Sequence, residues 1–291
     1  MSQSQSAQVY LDSPLVRVYD VVWWDPRSGY GPMYFNGPVQ IGLPRRGVFI
    51  MERCGNAVAV DSNTIVVLGI GEEYRNRHPT NDGGESTVIA LAPHLVEEAF
   101  GGLGGRVGDF HPRDHLATCF LSRALRDGMM DELEAEEATL LLVASISRGL
   151  AEERENACSL GPAQRLRVAN VQALLASSPG TRWRLESVAQ RANCSPFHLA
   201  RQFRLVTGQT ISRYLLHLRL GAAVDRMAAG ERDIAALALA TGFAHHSHFS
   251  ARFRQVFGET PTTVKDALST RSLDSFRRIL ADARQPELVR S

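Results

Sequence analysis

Lysine is almost missing from this chain: of its 32 basic residues only Lys265 is a lysine, and all the others are arginines. No Gly-rich phosphate loop carrying a Lys can therefore be written, and neither a nucleophile-elbow sequence nor paired carboxylates at a fixed spacing occur. Cysteine is scarce too. Cys54, Cys119, Cys158 and Cys194 are scattered with no C-x-x-C pair, which excludes a disulfide framework and predicts free thiols in a reducing compartment. No apolar run approaches about 18 residues, and no basic start precedes an apolar core. A membrane span and a signal peptide are thus excluded, and a cytoplasmic protein is expected. His78, His94, His111 and His115 form no H-x-H cluster; only His111 and His115 stand at i, i+4, with no third ligand in sight. The expectation is no metal, no cofactor and no catalytic residue. His111 and His115 then read as a solvated helix start.

The near-zero net charge hides a division. Residues 1–159 carry 13 arginines and 22 acids, whereas residues 160–291 carry 19 basic residues and 9 acids. The basic half also repeats itself. Gln202-Phe203-Arg204-Leu205-Val206-Thr207-Gly208-Gln209-Thr210 returns as Arg252-Phe253-Arg254-Gln255-Val256-Phe257-Gly258-Glu259-Thr260, with Phe, Arg, Val, Gly and Thr kept in register. A short apolar segment with a small residue precedes each copy: Leu185 to Ala189, and Ile234 to Ala238. Two units are too few for a solenoid, so a duplicated small motif is the reading.

Each unit reads as a helix-turn-helix, over residues 185–206 and 234–256. In the first, Leu185, Val188 and Ala189 have helical spacing, the run breaks at Asn193-Cys194-Ser195, and Ser195-Pro196 can cap and open a second helix. That helix buries Leu199, Phe203 and Val206 and presents Phe197, His198, Arg201 and Arg204 on its other face. The second unit turns at Thr241-Gly242-Phe243 and buries Phe249, Phe253 and Val256. Between the units, Ile211 to Ala229 predicts a helix of roughly 28 Å at about 1.5 Å per residue. Successive major-groove faces of B-DNA lie about 34 Å apart, so such a spacer suits two adjacent grooves.

Trp183 to Lys265 resembles the DNA-binding domain of the AraC/XylS family of bacterial transcription regulators. The resemblance rests on Ile234, Leu237-Ala238, Gly242-Phe243, Ser247-His248-Phe249-Ser250, Phe253-Arg254, Phe257-Gly258 and Pro261. Three positions depart from the family pattern: Val264-Lys265 replaces its closing aromatic-basic pair, Ala251-Arg252 reverses the order of basic and small residues, and Thr241 stands at an apolar position. The resemblance implies double-stranded promoter DNA as partner, with RNA polymerase added if the protein activates. It further implies base reading by Phe197, His198, Ala200 and Arg201 in the first unit, and by His245, His246, Ser247, Ser250, Ala251 and Arg252 in the second. Arg204 and Arg254, equivalent in the repeat, are expected on phosphates.

The acidic half begins with a Ser/Gln-rich stretch, residues 1–8, expected to be disordered. From Leu15 to about Leu91 short alternating runs are separated by turn signals such as Asn36-Gly37-Pro38 and Asn81-Asp82-Gly83-Gly84. They predict a small antiparallel barrel or sandwich, similar in pattern to the cupin-like sensor half of many AraC-family proteins. Trp23, Trp24, Tyr30 and Tyr34 can line an effector pocket there. After Pro93 the pattern becomes helical, over Leu116–Arg126 and Leu133–Leu150. The apolar stripe of the latter is wider than one face needs, which predicts a homodimer interface at Leu141, Leu142, Ser145 and Ile146.

The fold class expected is α+β. Residues 1–155 form a sensor and dimerisation domain (barrel to about 92, helices 93–155), 156–163 a linker, 164–268 the DNA-binding domain and 269–291 a helical extension, with a separate core in each domain. The function expected is a sequence-specific DNA-binding regulator controlled by a small-molecule effector or by dimerisation. The alternative is a cupin-type metal-binding protein or enzyme with an accessory helical domain. The residue inventory favours the regulator, because two intact recognition helices are present and a catalytic constellation is not.

Overall fold

The computed structural model describes residues 4–24, 29–80, 82–101, 105–152, 160–270 and Arg278. Its N-terminal part holds ten strands: β1 Ser4–Asp12, β2 Val16–Trp24, β3 Tyr34–Phe35, β4 Gln40–Arg46, β5 Phe49–Arg53, β6 Asn56–Val60, β7 Thr64–Leu68, β8 Glu73–Arg77, β9 Gly84–Leu91 and β10 Arg106–Asp109. All pair antiparallel, in one sheet ordered β1-β2-β9-β4-β7-β10 and another ordered β3-β8-β5-β6. Alternation decides the faces: along β2, Val16 and Val18 are buried while Arg17, Val22 and Trp24 are exposed. The Ser/Gln-rich start is not disordered from Ser4 onward, because it pairs along β2 from Ser4–Trp24 to Asp12–Arg17. Backbone pairing overrides its low strand propensity. Strand β10 is a second departure, since it lies in the stretch expected to be helical and pairs with β7.

Helices α1 Pro93–Phe100, α2 Pro112–Arg126 and α3 Glu132–Glu152 follow, then α4 Pro162–Ser177, α5 Leu185–Arg191, α6 Pro196–Thr207, α7 Ile211–Ala228, α8 Ile234–Ala240, α9 His246–Phe257 and α10 Pro261–Thr270. Half of the expected linker (156–159), and most of the expected helical extension 269–291, lie outside the described residues.

The expectation of a separate core in each half does not hold. One continuous core joins Leu116, Phe120 and Ala124 of α2 to Leu220 and Val224 of α7 and to Phe249 and Phe253 of α9. Helix α2 is the reason. It is buried at every position from Leu116 to Ser122, because the six-stranded sheet, α3, α7 and α9 all pack around it. Its polar residues have partners. Ser122 Oγ donates to Asp20 Oδ2 at 3.0 Å, where Arg45 (2.8 Å) and Arg126 (3.0 Å) also converge. Ser145 Oγ donates to Asp114 Oδ1 at 2.7 Å, and Thr118 Oγ1 to the Asp114 carbonyl at 2.8 Å. His115, read as part of a solvated start, is 1% exposed and edge-on to Phe110. Burial and the Arg45 charge hold it neutral, with its pKa down to about 3. His111 does sit at the helix start, where Nδ1 accepts from the Arg113 N–H at 3.3 Å.

The expected dimer surface is corrected by the same packing. Leu142 and Ile146 are 0% and 1% exposed, Leu141 lies partly buried against the core, and the Ser145 hydroxyl is engaged with Asp114. The apolar stripe of α3 is wide because α3 packs on α1, α2, β1 and β10 within its own chain.

Candidate nucleic-acid interface and barrel cavity

The first helix-turn-helix has a core of its own, where Val168, Val171 and Leu175 of α4 meet Val188, Ala189, Leu199, Phe203, Tyr214 and Leu218. The second completes its core with α2. The two turns nevertheless share one construction. Cys194 N–H donates to the Ala189 carbonyl at 3.1 Å, and Phe243 N–H to the Ala238 carbonyl at 3.0 Å. The residue before each donor takes a left-handed backbone, Asn193 with φ 49° and Gly242 with φ 90°. Asn tolerates this locally, whereas Gly242 is required twice over: a Cβ there would also lie 2.8 Å from the Gly180 carbonyl oxygen.

Most identities in the repeat have a structural cause. Phe203 and Phe253 are 0% exposed. Gly208 and Gly258 end α6 and α9 at φ 68° and 81°, and their N–H groups donate to the Arg204 and Arg254 carbonyls. Thr210 and Thr260 accept from the Arg213 and Thr263 N–H groups and so cap α7 and α10. The side chains of Arg204 and Arg254 are exposed, and no packing role accounts for them.

Helix α6 begins as the sequence predicts, with Ser195 Oγ accepting from the His198 N–H at 3.3 Å and Pro196 in the first turn. Its outer face gathers Phe197, His198, Ala200, Arg201 and Arg204, all exposed; Phe197 at 73% is a large apolar surface left in water. His198 Nδ1 lies 3.0 Å from Ser195 Oγ, so the ring is held at the helix start. On α9, His246, Ser247, Ala251, Arg252 and Arg254 are exposed, Ser250 is half-buried, and His245 stands exposed at the N-cap. Arg252 Nη1 donates to Gln255 Oε1 at 2.9 Å, along its own helix. Thr241, polar where the family pattern is apolar, is 2% exposed and satisfies its hydroxyl on the Leu237 carbonyl at 2.8 Å. Val264 is buried in the shared core. The 18-residue α7 that separates the units spans roughly 27 Å at about 1.5 Å per residue.

Contacts that sequence reasoning missed tie this domain to the barrel half. Tyr214 of α7 donates its hydroxyl to Asp61 Oδ2 at 2.6 Å and accepts from Gln172 Nε2 at 3.0 Å. Asn63 Nδ2 donates to the Tyr214 carbonyl at 3.0 Å. Burial raises the Asp61 pKa to about 6, against the lowering effect of its hydrogen bonds from Tyr214, Asn63 and Thr64. Two arginines of α2 reach helix ends: Arg113 Nε donates to the Val256 carbonyl (3.1 Å) and Arg123 Nη1 to the Ala228 carbonyl (2.6 Å). Both complement the negative C-terminal ends of α9 and α7.

Inside the barrel lies a cavity of about 220 Å³, lined by Trp23, Trp24 and Tyr34 among the expected residues and by Phe49, Tyr74 and Asn76 among those not foreseen. Tyr30 is not part of the lining; its ring lies under the Arg75 guanidinium, 4.6 Å from the centroid. Among the described residues no group of three or more His, Cys, Asp and Glu can hold a metal, and no helix is long and apolar enough to cross a membrane.

These units define a helix-turn-helix DNA-binding domain, and residues 188–267 match the family model described as a helix-turn-helix domain. The regulatory protein SoxS of Escherichia coli K12 is 33% identical over 84 residues, which is 29% of this chain and 78% of SoxS. The chain belongs to the AraC/XylS family. The HTH-type transcriptional activator RhaS of Pectobacterium carotovorum is 37% identical over 79 residues, 27% of this chain, and the match spans just over a quarter (28%) of RhaS. The crystal structure of ToxT from Vibrio cholerae O395 aligns over 91% of this chain and 99% of ToxT, at 15% identity and a TM-score of 0.36.

Proposed function

We propose that the whole chain is a sequence-specific transcription regulator that sets α6 and α9 into successive major grooves and answers to a small molecule held in the barrel. The observation that carries the reading is the pair of exposed arginine-bearing helices at the two ends of α7, whose buried faces fully account for the rest of the repeat. Base reading falls to Phe197, His198, Ala200 and Arg201 on α6, and to His245, His246, Ser247, Ser250 and Ala251 on and before α9, while Arg252, a base-reading candidate by family resemblance, grips the backbone. Arg204 and Arg254 hold phosphates. Phe197 suits a thymine methyl, and Arg201 a bidentate contact to guanine worth about 1–3 kcal/mol against a wrong base. The position equivalent to Arg201 is Ala251, so the first unit discriminates more and the second positions. The reading assigns no catalytic residue and no cofactor. It places the protein in the cytoplasm with its DNA, and adds RNA polymerase as a partner where it activates.

The experiment is a binding-site selection with the full chain and with Arg201→Ala and Arg252→Ala. Arg201→Ala is expected to erase base preference in one half-site, while Arg252→Ala weakens binding with the preference retained. Loss of preference at the second half-site on replacing Arg252 alone would overturn the asymmetry. Absence of any selected sequence would overturn specific recognition itself.

A further inference from the structure

The edge of a sheet presents a row of backbone N–H and C=O groups that can template another strand, and proteins usually guard it with charge, proline, shortness or cover. The described sheets have four edges: β1 and β10 in the six-stranded sheet, β3 and β6 in the other. Three of them are short or covered. Strand β10 has four residues with a charge at each end, Arg106 and Asp109, β3 has two residues, and α4 packs against β6. Strand β1 differs. It runs for nine residues without proline and without a charge before Asp12.

The inner edge of β1 is held along β2, so the strand is fixed in the sheet. Ser6, Ala7, Gln8 and Val9 are exposed in succession. A strand covered on one face alternates in burial, so no element closes over this stretch. A bulge between Val9 and Leu11 and the charge on Asp12 guard the far end only. Residues 4–9 are left open, roughly 20 Å of strand at about 3.4 Å per residue. Apolar surface lies beside them. Val22, the partner of Ser6 on β2, is 45% exposed, and Trp24 on the same face is 42% exposed.

We infer that this edge is an association surface for a second copy of the chain, in which residues 4–9 of the two copies pair antiparallel about a two-fold axis and join the two six-stranded sheets. The absence of charge points to self-pairing. A strand that meets its own copy sets like charges against each other wherever it carries one sign, and residues 4–9 carry none. Val22 and Trp24, one strand in from the seam, offer apolar surface on the same sheet face. A standard interface buries about 800 Å² per partner. Six strand residues and two side chains make a smaller contact, so the dimer is reversible, with a Kd on the order of tens of micromolar.

Sedimentation equilibrium of the full chain without DNA, from low micromolar to about 200 micromolar, tests this. A monomer–dimer equilibrium is expected. Ser6→Lys combined with Gln8→Lys puts ammonium groups opposite one another across the axis and should weaken the dimer at least about tenfold. Leu133→Glu, on the exposed start of α3, should leave it unchanged. A two-fold axis sets a single residue opposite itself, so either Ala7→Cys or Gln8→Cys should form a disulfide-linked dimer above the background of the unaltered chain. A chain that stays monomeric at about 200 micromolar would overturn the inference, and so would a dimer that survives the lysine pair or is lost with Leu133→Glu. The cross-linking decides the matter if the lysine variant fails to fold: no added cross-link at either position overturns the pairing.

Discussion

Replacing Tyr214 by Phe should destabilise the protein more at pH 7.5 than at pH 5. The substitution removes one hydroxyl and keeps the ring, which stays edge-on to Phe203 with centroids 5.3 Å apart. The hydroxyl donates to Asp61 Oδ2 at 2.6 Å, in a site where Asp61 is fully buried and Asp109 adds like-charge repulsion. Asp61 therefore has a folded pKa of about 6, above its ordinary value of 3.8. A raised folded pKa means stability that is fully present below about pH 4 and is lost as pH rises through about 6. By order of magnitude this loss is about 3 kcal/mol at neutral pH. The Tyr214 bond offsets part of it, because a hydrogen bond to a charged group contributes about 1.5–3 kcal/mol and one between neutral groups about 0.5–1.5 kcal/mol. Tyr214→Phe should then cost about 2 kcal/mol at pH 7.5 and about 1 kcal/mol at pH 5. Urea unfolding of both proteins at the two pH values measures this difference. Asp114, raised to about 6, and His115 and His217, lowered to about 3 and about 4, titrate in both proteins and cancel in the comparison. An equal penalty at both pH values, or a larger one at pH 5, would refute the buried-carboxylate argument.

Arg204→Ala and Arg254→Ala should each lower the slope of log affinity against log salt by about 0.9, the value of one phosphate contact; an unchanged slope removes the residue from the backbone-contacting set. Gly242→Ala should destabilise the second unit by at least about 2 kcal/mol in thermal unfolding, since it adds left-handed strain to a contact at 2.8 Å with Gly180, and a neutral outcome would mean the turn rebuilds without cost. Leu142→Ala, at a fully buried position, should cost about 2–5 kcal/mol whatever the protein concentration, whereas Leu133→Glu, at a position 73% exposed, should be nearly silent. A concentration-dependent effect of Leu142→Ala would restore the dimer surface.

The C-terminal units were legible because their constraints are local and occur twice. Ser195 as a cap, Gly208 and Gly258 as left-handed stops, and Phe203 and Phe253 as core residues each follow from helical spacing and backbone chemistry alone. The strands of the barrel were legible as alternation, and Trp23 and Trp24 show its reach: neighbours on β2, they are 8% and 42% exposed. The order of the strands was not legible, because pairing such as that of β4 with β7 and β9 joins segments far apart in sequence. Within the candidate sites, the exposed face of α6 could be read residue by residue. The cavity could be read only in part, since Phe49, Tyr74 and Asn76 come from strands whose inward faces depend on register.

Helix α2 shows why the joint between the halves escaped sequence reasoning. Asp114, His115, Thr118 and Ser122 give it the polar look of a surface helix, yet each is buried. Their partners, Ser145, Asp20 and residues of α2 itself, can be recognised only once the chain has folded. A helix of this kind transmits constraint in a way that a surface helix cannot. Its apolar side chains are shared between the barrel half and the second helix-turn-helix, and its Arg113 and Arg123 close the ends of α9 and α7. Displacing α9 relative to the barrel would uncover Phe249 and Phe253 and leave the Arg113 hydrogen bond unmade. The first unit, with Phe203 and Leu199 in a core drawn from α4 to α7, carries no such dependence on α2. The duplicated motif is therefore symmetric in sequence and asymmetric in support: the second unit is held to the barrel half through α2, and the first through α4 on β5 and β6 and through Tyr214 on Asp61.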